Sequence, residues 1–203
     1  TLFRSVVCNI GFSASTQDFG PVVDELKAAN SDVIVVVGRV QNDLDIAGQL
    51  VESGIEAGTV VAVAAGIQRF QDDLRSLADG FVGPSQWEPF AHFHPDFGPS
   101  AEQVVASLKQ DSLQQVDYPM AQAYAAGVVV ERCLTEATGS DSFALRKAAE
   151  GLKFSTFYGN FEIDRQTGRQ VGRETLIVQW QHGRKVIVWP PEQSHAALVY
   201  PWR

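Results

Sequence analysis

The sequence is short of basic residues, of cysteine and of long apolar runs. Lys and Arg number 16 against 24 Asp and Glu, for a formal net charge of -8. Because binding to a phosphate backbone needs a basic stripe, this balance argues against a nucleic-acid partner. The longest apolar window, residues 121–130, is interrupted by Gln122 and Gly127, and falls short of the roughly 18 residues that cross a bilayer. Cys8 and Cys133 have no CxxC spacing, so we expect two buried free thiols rather than a metal or redox motif.

Familiar catalytic signatures are also missing. The chain has no nucleophile elbow, Walker loop, GxGxxG turn or HExxH pair. Ser85 follows a predicted strand but lacks the flanking glycines that expose a nucleophilic serine. The sequence therefore favours a protein without catalysis, cofactor or bound metal. An α/β enzyme whose catalytic half lies outside this chain is a further alternative.

The first half of the chain alternates strand and helix patterns. With 203 residues and 45% hydrophobic content, it can bury a real core. Residues 32–38 hold a continuous β-branched run, Val33 to Val37, typical of a parallel strand covered by helices on both faces. Further strands are expected at 5–10, 59–64 and 80–83, with helices after a cap at Ser15 or Thr16, at 42–53 and at 70–78. This order predicts three strand-helix repeats plus one strand, a doubly wound half-sheet.

The pattern changes at residues 79–89, DGFVGPSQWEP, an aromatic segment with two prolines that indicates passage between lobes. Ser100 to Gln103 form a capping box that starts a helix to about residue 110. The later elements are helices at 120–136 and from Asp141 or Ser142 to 152, strands at 154–163, 174–181 and 185–189, and hairpin turns at 166–168 and 182–183.

Three segments in this order resemble the C-terminal portion of branched-chain amino acid type (type I) solute-binding proteins of ABC transporters. They are VGPSQW at 82–87, DYPMAQAYAAG at 117–127 and TFYGNFEID at 156–164. The resemblance covers about Val6 to the C-terminus. It implies an α/β fold class: a three-layer α/β/α parallel-sheet lobe of a type I periplasmic-binding-protein fold, plus part of the first lobe and C-terminal strands.

The resemblance also implies a domain organisation. Residues 6–115 would be the second lobe with a hinge segment near 84–99, residues 116–175 the remainder of the first lobe, and residues 176–203 the C-terminal strands and tail. Most of the first lobe would precede this chain, so we expect a fragment. Residues 1–5, TLFRS, are also what the end of a common sequencing adapter encodes, and we expect them to be non-native.

A lobe without its partner should leave apolar surface uncovered. The candidates, by the same resemblance, are Ala125, Val128, Val129, Phe157 and Phe161.

The function implied by the resemblance is binding without catalysis. Two lobes would close over a small polar solute, such as an amino acid or an amide, and the closed form would dock on the membrane permease of an ABC importer. Such a protein would be periplasmic, or extracellular and lipid-anchored. A ligand-sensing domain of a receptor or regulator with the same fold is the alternative.

Ligand contacts are expected beyond the carboxyl ends of the strands, where loops converge in an open parallel sheet. There, Gly38 and Gly66 would let the backbone turn sharply, Arg39 and Gln41 could orient polar groups, and Trp87 could supply an apolar wall. The full set of candidate contacts is Arg39, Val40, Gln41, Ala65, Gly66, Trp87, Tyr118 and Gln122.

By resemblance, the second-lobe contacts fall near Val40 and Ala65. The best-known members carry a Tyr and a Glu at about those positions, to meet the side chain and the ammonium group of an amino acid. Without the Glu, a buried ammonium would be unpaired and costly. We therefore do not expect leucine, isoleucine or valine as the solute.

Three other groups of residues favour structural roles. His92 and His94, with Asp96 nearby, have the spacing of a metal site, but a hinge loop is the preferred interpretation because zinc needs at least three protein ligands. The Asp72-Asp73 and Asp43/Asp45 pairs lie at predicted helix starts, which favours capping over acid-base chemistry. The aromatic residues Trp180, Trp189, Tyr200 and Trp202 could form a sugar platform, but strand alternation favours packing.

Overall fold

The computed structural model describes residues 5–111 and 115–202, and the chain divides into two units. Unit 1 comprises Thr1–Ser85 and Leu176–Arg203, and unit 2 comprises Gln86–Thr175. The chain therefore passes between the units after residue 85 and after residue 175. Of the predicted non-native start, all but Ser5 lies outside the described residues.

This division differs from the predicted one. Residues 86–115, which the sequence assigned to the second lobe, are grouped by the structure with residues 116–175. Residues 176–203, which were assigned to a separate C-terminal part, belong to the same unit as the first 85 residues. Whether the units correspond to the two lobes of the resemblance stays a prediction.

The described residues form seven strands and six α-helices, which alternate only up to residue 85; three helices and then four strands follow. The strands are β1 (Val33–Val36), β2 (Thr59–Ala62), β3 (Val82–Ser85), β4 (Phe154–Thr156), β5 (Gly159–Phe161), β6 (Leu176–Gln181) and β7 (Arg184–Trp189). The helices are α1 (Gly20–Ala29), α2 (Val40–Glu52), α3 (Gln68–Leu74), α4 (Ala101–Asp111), α5 (Tyr118–Glu136) and α6 (Ser142–Gly151). Short 3-10 turns follow β2 at Val63–Gly66 and α3 at Arg75–Ala78, and a third lies at Pro191–Gln193.

Unit 1 is built on a five-stranded sheet in the order β1-β2-β3-β6-β7. The first three strands are parallel, and β6 and β7 continue the sheet antiparallel. The β6–β7 connection is the predicted two-residue turn, with positive φ at His182 and Gly183. The α/β fold class is confirmed, although two strand-helix repeats precede β3 rather than three.

One face of the sheet carries the core of unit 1. The register places Ile34 and Val36 on the same face as Val60 and Ala62, and all four are buried. Apolar residues of α1 and α2 pack in the same buried cluster. They are Val23 of α1 and Leu44, Ile46, Ala47 and Leu50 of α2. The β-branched run predicted burial of β1, and on the face that carries Ile34 and Val36 this prediction is confirmed.

The opposite face of β1 is open. Val35 is 62% exposed and Val37 is 70% exposed, so the expectation of helices on both faces is wrong at this strand. The prediction of a strand at 5–10 is also wrong, since these residues form no ladder within the described part of the chain. Residues 5–10 and β1 line a cavity of about 590 Å³. Residues 5–10 pair with no neighbouring strand in the described part of the chain, so their strand-like composition does not produce a strand.

Unit 2 packs helices against the β4–β5 hairpin. Its core includes Trp87, Val104, Ala121 and Phe157. The predicted capping box is confirmed, since the Ser100 backbone N–H donates to Gln103 Oε1 at 2.9 Å and the Gln103 N–H donates to Ser100 Oγ at 3.3 Å. Asp141 caps α6 as expected, with Oδ1 accepting from two backbone N–H groups.

The predicted uncovered surface is wrong in its main members. Ala125, Val128 and Phe157 are buried within unit 2, and the remaining two residues, Val129 and Phe161, are half-buried. The exposed apolar side chains of α5 are Val130 and Leu134 instead. The predicted open face of α5 is buried instead, because it packs against Val104 of α4 and against Phe157 and Tyr158 of the hairpin.

The first helix starts later than its predicted cap. Neither Ser15 nor Thr16 caps α1, which begins at Gly20 because Pro21 fixes the first turn. Asp18 Oδ1 accepts from the Gly20 N–H at 2.9 Å. Phe19, which precedes α1, and Val23 within it are both buried.

Candidate functional site

The carboxyl ends of β1, β2 and β3 form the candidate site of unit 1. Gly38 and Arg39 follow β1, the turn Val63–Gly66 follows β2, and Ser85 ends β3. Because the three strands are parallel neighbours, their ends lie at one edge of the sheet. Five of the predicted contacts lie here: Arg39, Val40, Gln41, Ala65 and Gly66.

Asp43 joins two of these strand ends. It is fully buried in the first turn of α2, and its Oδ2 accepts from the Ala64 N–H at 2.8 Å. Burial raises the pKa of Asp43, and hydrogen bonds from the backbone N–H groups of Ala64, Gly38 and Val63 offset part of that rise. Asp43 therefore ties the first turn of α2 to the turn after β2, in addition to its place at the helix start.

The turn after β2 lies directly on β3. A Cβ on Gly66 would overlap the carbonyl oxygen of Pro84, and a Cβ on Gly83 would lie 2.5 Å from the backbone nitrogen of Gly66. Gly66 is thus required for close approach of two backbones, rather than for the sharp turn that the sequence suggested.

Two side chains from the antiparallel part of the sheet fix the same turn. The indole Nε1 of Trp180 donates to the Ala65 carbonyl at 2.8 Å, and Lys185 Nζ donates to the Gly66 carbonyl at 2.9 Å. Trp180 is buried, whereas Trp189 is 45% exposed. Trp180 therefore has the structural role favoured for the aromatic residues, since its buried indole holds the turn after β2.

The exposed rim of the site is polar. Gln41 Nε2 donates to Asp45 at 2.8 Å, and Arg69 Nη2 donates to Gln41 Oε1 at 3.2 Å. Arg69 also pairs with Asp73 at 3.1 Å across one helical turn, and Gln68 Nε2 donates to Asp72 at 3.0 Å. The carboxylates of α3 thus bind neighbours on their own helix. The expected capping role of Asp72 and Asp73 is wrong, because both lie in the last turn of α3 and not at its start.

Arg69 was not among the predicted site residues. Its i,i+4 spacing to Asp73 is visible in the sequence, but its contact with Gln41 spans 28 residues and leaves no local signal. Beside this rim, a shallow polar depression of about 520 Å³ runs along α2, lined by Gln17, Gln41, Leu44, Asp45, Gly48, Gln49 and Glu52.

The other three predicted contacts lie in unit 2. Trp87 is fully buried there, with Nε1 donating to the Phe157 carbonyl at 2.9 Å, so its ring serves the core of that unit. Tyr118 is half-buried at the start of α5, and Gln122 is exposed one turn later. The structure thus brings five of the predicted residues together in unit 1, and the other three belong to unit 2.

The histidine pair belongs to a loop tied by other residues. Asp96 Oδ1 accepts from the Ser155 N–H at 2.9 Å, and Ser155 Oγ donates to the His94 carbonyl at 2.9 Å. In residues 5–111 and 115–202, no three side chains of His, Cys, Asp or Glu are grouped as metal ligands. Both thiols in the described chain are free, with Cys133 buried and Cys8 half-buried outside any strand.

The chain belongs to the periplasmic binding protein family, whose model matches residues 3–185. The predicted resemblance to the branched-chain amino acid type is confirmed. A curated relative, Leu/Ile/Val-binding protein homolog 7 of Brucella abortus, is 23% identical over 97% of this chain and 51% of its own length. The chain thus spans about half the length of the curated relatives it matches.

Solved structures share the fold. The leucine binding protein LivK of Thermotoga maritima superposes with a TM-score of 0.73 at 18% identity, over 87% of this chain and 49% of its own. A solute binding protein of an ABC transporter from R. palustris, in complex with benzoate, gives 0.72 at 14% identity, over 91% of this chain and 49% of its own. These neighbours are solute-binding proteins.

Family membership implies an extracytoplasmic location. Of the helices in the described part of the chain, none combines the length and apolar character that crossing a membrane requires.

Proposed function

We propose that this chain contributes to an extracytoplasmic solute-binding protein of an ABC importer, which takes amino acids, amides or related small polar solutes by lobe closure. The family match over residues 3–185 is the observation that carries the proposal. The candidate site in unit 1 supports it, because a rigid, glycine-packed turn lies at the strand ends beside an exposed polar rim.

The chemistry of the rim favours a solute with an anionic or amide end. Arg39 is exposed at the N-terminus of α2, and a guanidinium suits planar, two-oxygen acceptors. The carboxylate that would receive an ammonium group is missing at Val40 and Ala65. Asp43 does not replace it, because that side chain is fully buried and already accepts backbone N–H groups.

We propose that the solute leaves unchanged, and that the membrane permease of the importer is the protein partner. The neighbours named leucine binding protein and solute binding protein support a binding role for this chain. Their named ligands, leucine and benzoate, differ in chemistry, so the family fold alone leaves the solute class open. A periplasmic or lipid-anchored setting is part of the same proposal.

The test is a binding screen with the chain itself. Thermal unfolding is followed with amino acids, primary amides, benzoate and small carboxylates, and the solutes are checked afterwards by NMR for conversion. At a solute concentration about ten times a millimolar Kd, binding to the folded chain adds roughly 1.4 kcal/mol of stability. Stabilisation by one solute class without conversion supports the proposal. Turnover of any solute, or no stabilisation across the panel, contradicts it.

A further inference from the structure

Two segments connect the units: the first connecting segment is residues 85–87 and the second is residues 173–176. Backbone pairing joins these two segments at one point. Within unit 1, Ser85 at the end of β3 is the ladder partner of Leu176 at the start of β6. Within unit 2, Gln86 follows Ser85 directly, and Arg173 lies three residues before Leu176. The backbone ladder that joins the segments ends at the Ser85–Leu176 pair.

The side chain of Arg173 joins the same two segments. Its Nη2 donates to Gln86 Oε1 at 2.9 Å, and its Nη1 donates to the Gln86 carbonyl at 3.4 Å. Nη1 also donates to the Tyr158 carbonyl at 3.3 Å. One guanidinium thus contacts the first connecting segment and the β4–β5 turn while its own backbone belongs to the second connecting segment.

The surroundings of Arg173 fix the guanidinium in place. Its Cζ lies 4.2 Å from the centroid of the Tyr158 ring, a cation–π contact. That ring also stacks on Trp87, with centroids 6.3 Å apart, and Trp87 is itself tied to Phe157 by a hydrogen bond. Gly159, with φ of 107°, brings the hairpin backbone beside the arginine, since a Cβ there would lie 3.6 Å from Arg173 Cδ.

We propose that Arg173 is a clasp that joins the two connecting segments, so that they bend as one hinge instead of independently. The planar fork of arginine is needed, because a single group must donate to both the side chain and the backbone of Gln86. Hinges are a few loop or element-terminal residues that absorb a change in backbone angles. Gln86 directly follows the first passage between the units, after residue 85, and Arg173 lies just before the second, after residue 175. This role does not depend on which solute the protein takes.

The test is amide hydrogen exchange of the chain carrying Arg173→Ala. We expect the amides of residues 174–176 to exchange about tenfold faster, and those of residues 85–87, which are distant from Arg173 in sequence, to accelerate with them. The amides in the middle of α5 should keep their rates. Arg173→Lys should give a smaller acceleration, since an ammonium lacks the fork. Arg169→Ala, at an exposed arginine nearby in sequence, is the matched control and should change neither segment.

A double-mutant cycle completes the test. If Gln86 and Arg173 act as a pair, Gln86→Ala should accelerate the same amides, and the double variant should exchange no faster than the faster single variant. The proposal is overturned if residues 85–87 keep the wild-type rate in Arg173→Ala. It is also overturned if all amides of unit 2 accelerate equally, because Arg173 would then contribute only to general stability.

Discussion

At the residue scale, the site depends on backbones that approach each other closely. Gly66 and Gly83 let the turn after β2 lie on β3, and Trp180 and Lys185 hold its carbonyls. The position of Ala65 is therefore set by contacts on several sides of the turn. A change that moves this turn should cost stability before it changes any ligand contact.

Gly66→Ala tests this packing. The added methyl group overlaps the Pro84 carbonyl oxygen, so we expect a loss of about 3 kcal/mol in the free energy of unfolding. Gly48→Ala is the control, because a Cβ at Gly48 in α2 meets nothing within 4 Å. It should be neutral or stabilise by about 0.5–1 kcal/mol through helix propensity. Urea denaturation measures both, and equal effects of the two substitutions would contradict the packing account.

Asp43 makes stability depend on pH. Burial raises its folded pKa, while the unfolded carboxyl titrates near about 3.9. As pH rises past that value, the unfolded chain loses the proton that the folded chain keeps, so the unfolding free energy falls until the raised folded pKa is passed.

Asp43→Asn removes this titrating group and therefore isolates its contribution. The unfolding free energy of the wild type minus that of Asp43→Asn should be largest at about pH 4 and below, and smaller near about pH 7. Urea denaturation of both chains across this range measures the difference. A difference that grows in favour of the wild type as pH rises would contradict the raised pKa of Asp43.

Local sequence patterns predict the strand-end residues but not the residues that join distant segments. Arg39, Gln41 and Gly66 follow strands that local patterns reveal. Arg69 and Arg173 act through partners 28 and 87 residues away, and no local pattern encodes such contacts. Trp87 was placed at a ligand wall because it follows β3, whereas its burial is decided by Phe157 and Tyr158, which lie far along the chain.

At the element scale, two predicted helix caps are found, at Ser100 and Asp141, whereas Ser15 and Thr16 cap no helix because Pro21 starts α1 at Gly20. The capping box at Ser100 and Gln103 and the cap at Asp141 use side chains within three residues of the N–H groups they bind. At these two helices the capping residue and the N–H groups that it binds lie close together in the sequence. Strands were less predictable, because residues 5–10 have the composition of a strand but no ladder partner among the described residues.

Ser100→Ala removes the cap of α4. The Gln103 N–H then loses its acceptor, and we expect a loss of about 1 kcal/mol. Ser107→Ala, at an exposed position further along the same helix, is the matched control and should change stability by less than about 0.5 kcal/mol. Chemical denaturation of both variants compares them, and a silent Ser100→Ala would show that the box does not stabilise the helix.

At the scale of the whole molecule, the open face of β1 is the main departure from an evenly covered sheet. The strand reads VIVV without a charge, and β1 is an edge of the sheet in the described residues. Edge strands of this kind promote association between chains unless they carry charges or prolines. The overall fold class was predictable from the order of elements, but this open face was not, because coverage depends on which segments meet.

Val35→Lys should therefore reduce self-association. The substituted side chain is already 62% exposed, so the charge can be solvated, and light scattering at high protein concentration should report a lower mean mass than for the wild type. Val171→Lys is the control, since Val171 is 56% exposed and belongs to unit 2 rather than to this sheet. Equal masses for the wild type and Val35→Lys would show that the open face does not associate.

We proposed that a small polar solute binds at the strand ends of unit 1. Chemical-shift mapping of the isotope-labelled chain, titrated with the solute that stabilises it most in the binding screen, tests this most directly. We expect shifts that saturate together at Arg39, Gln41, Ala65 and Gly66, with the solute recovered intact. Shifts confined to residues away from these strand ends, or a solute that is chemically altered, would contradict it.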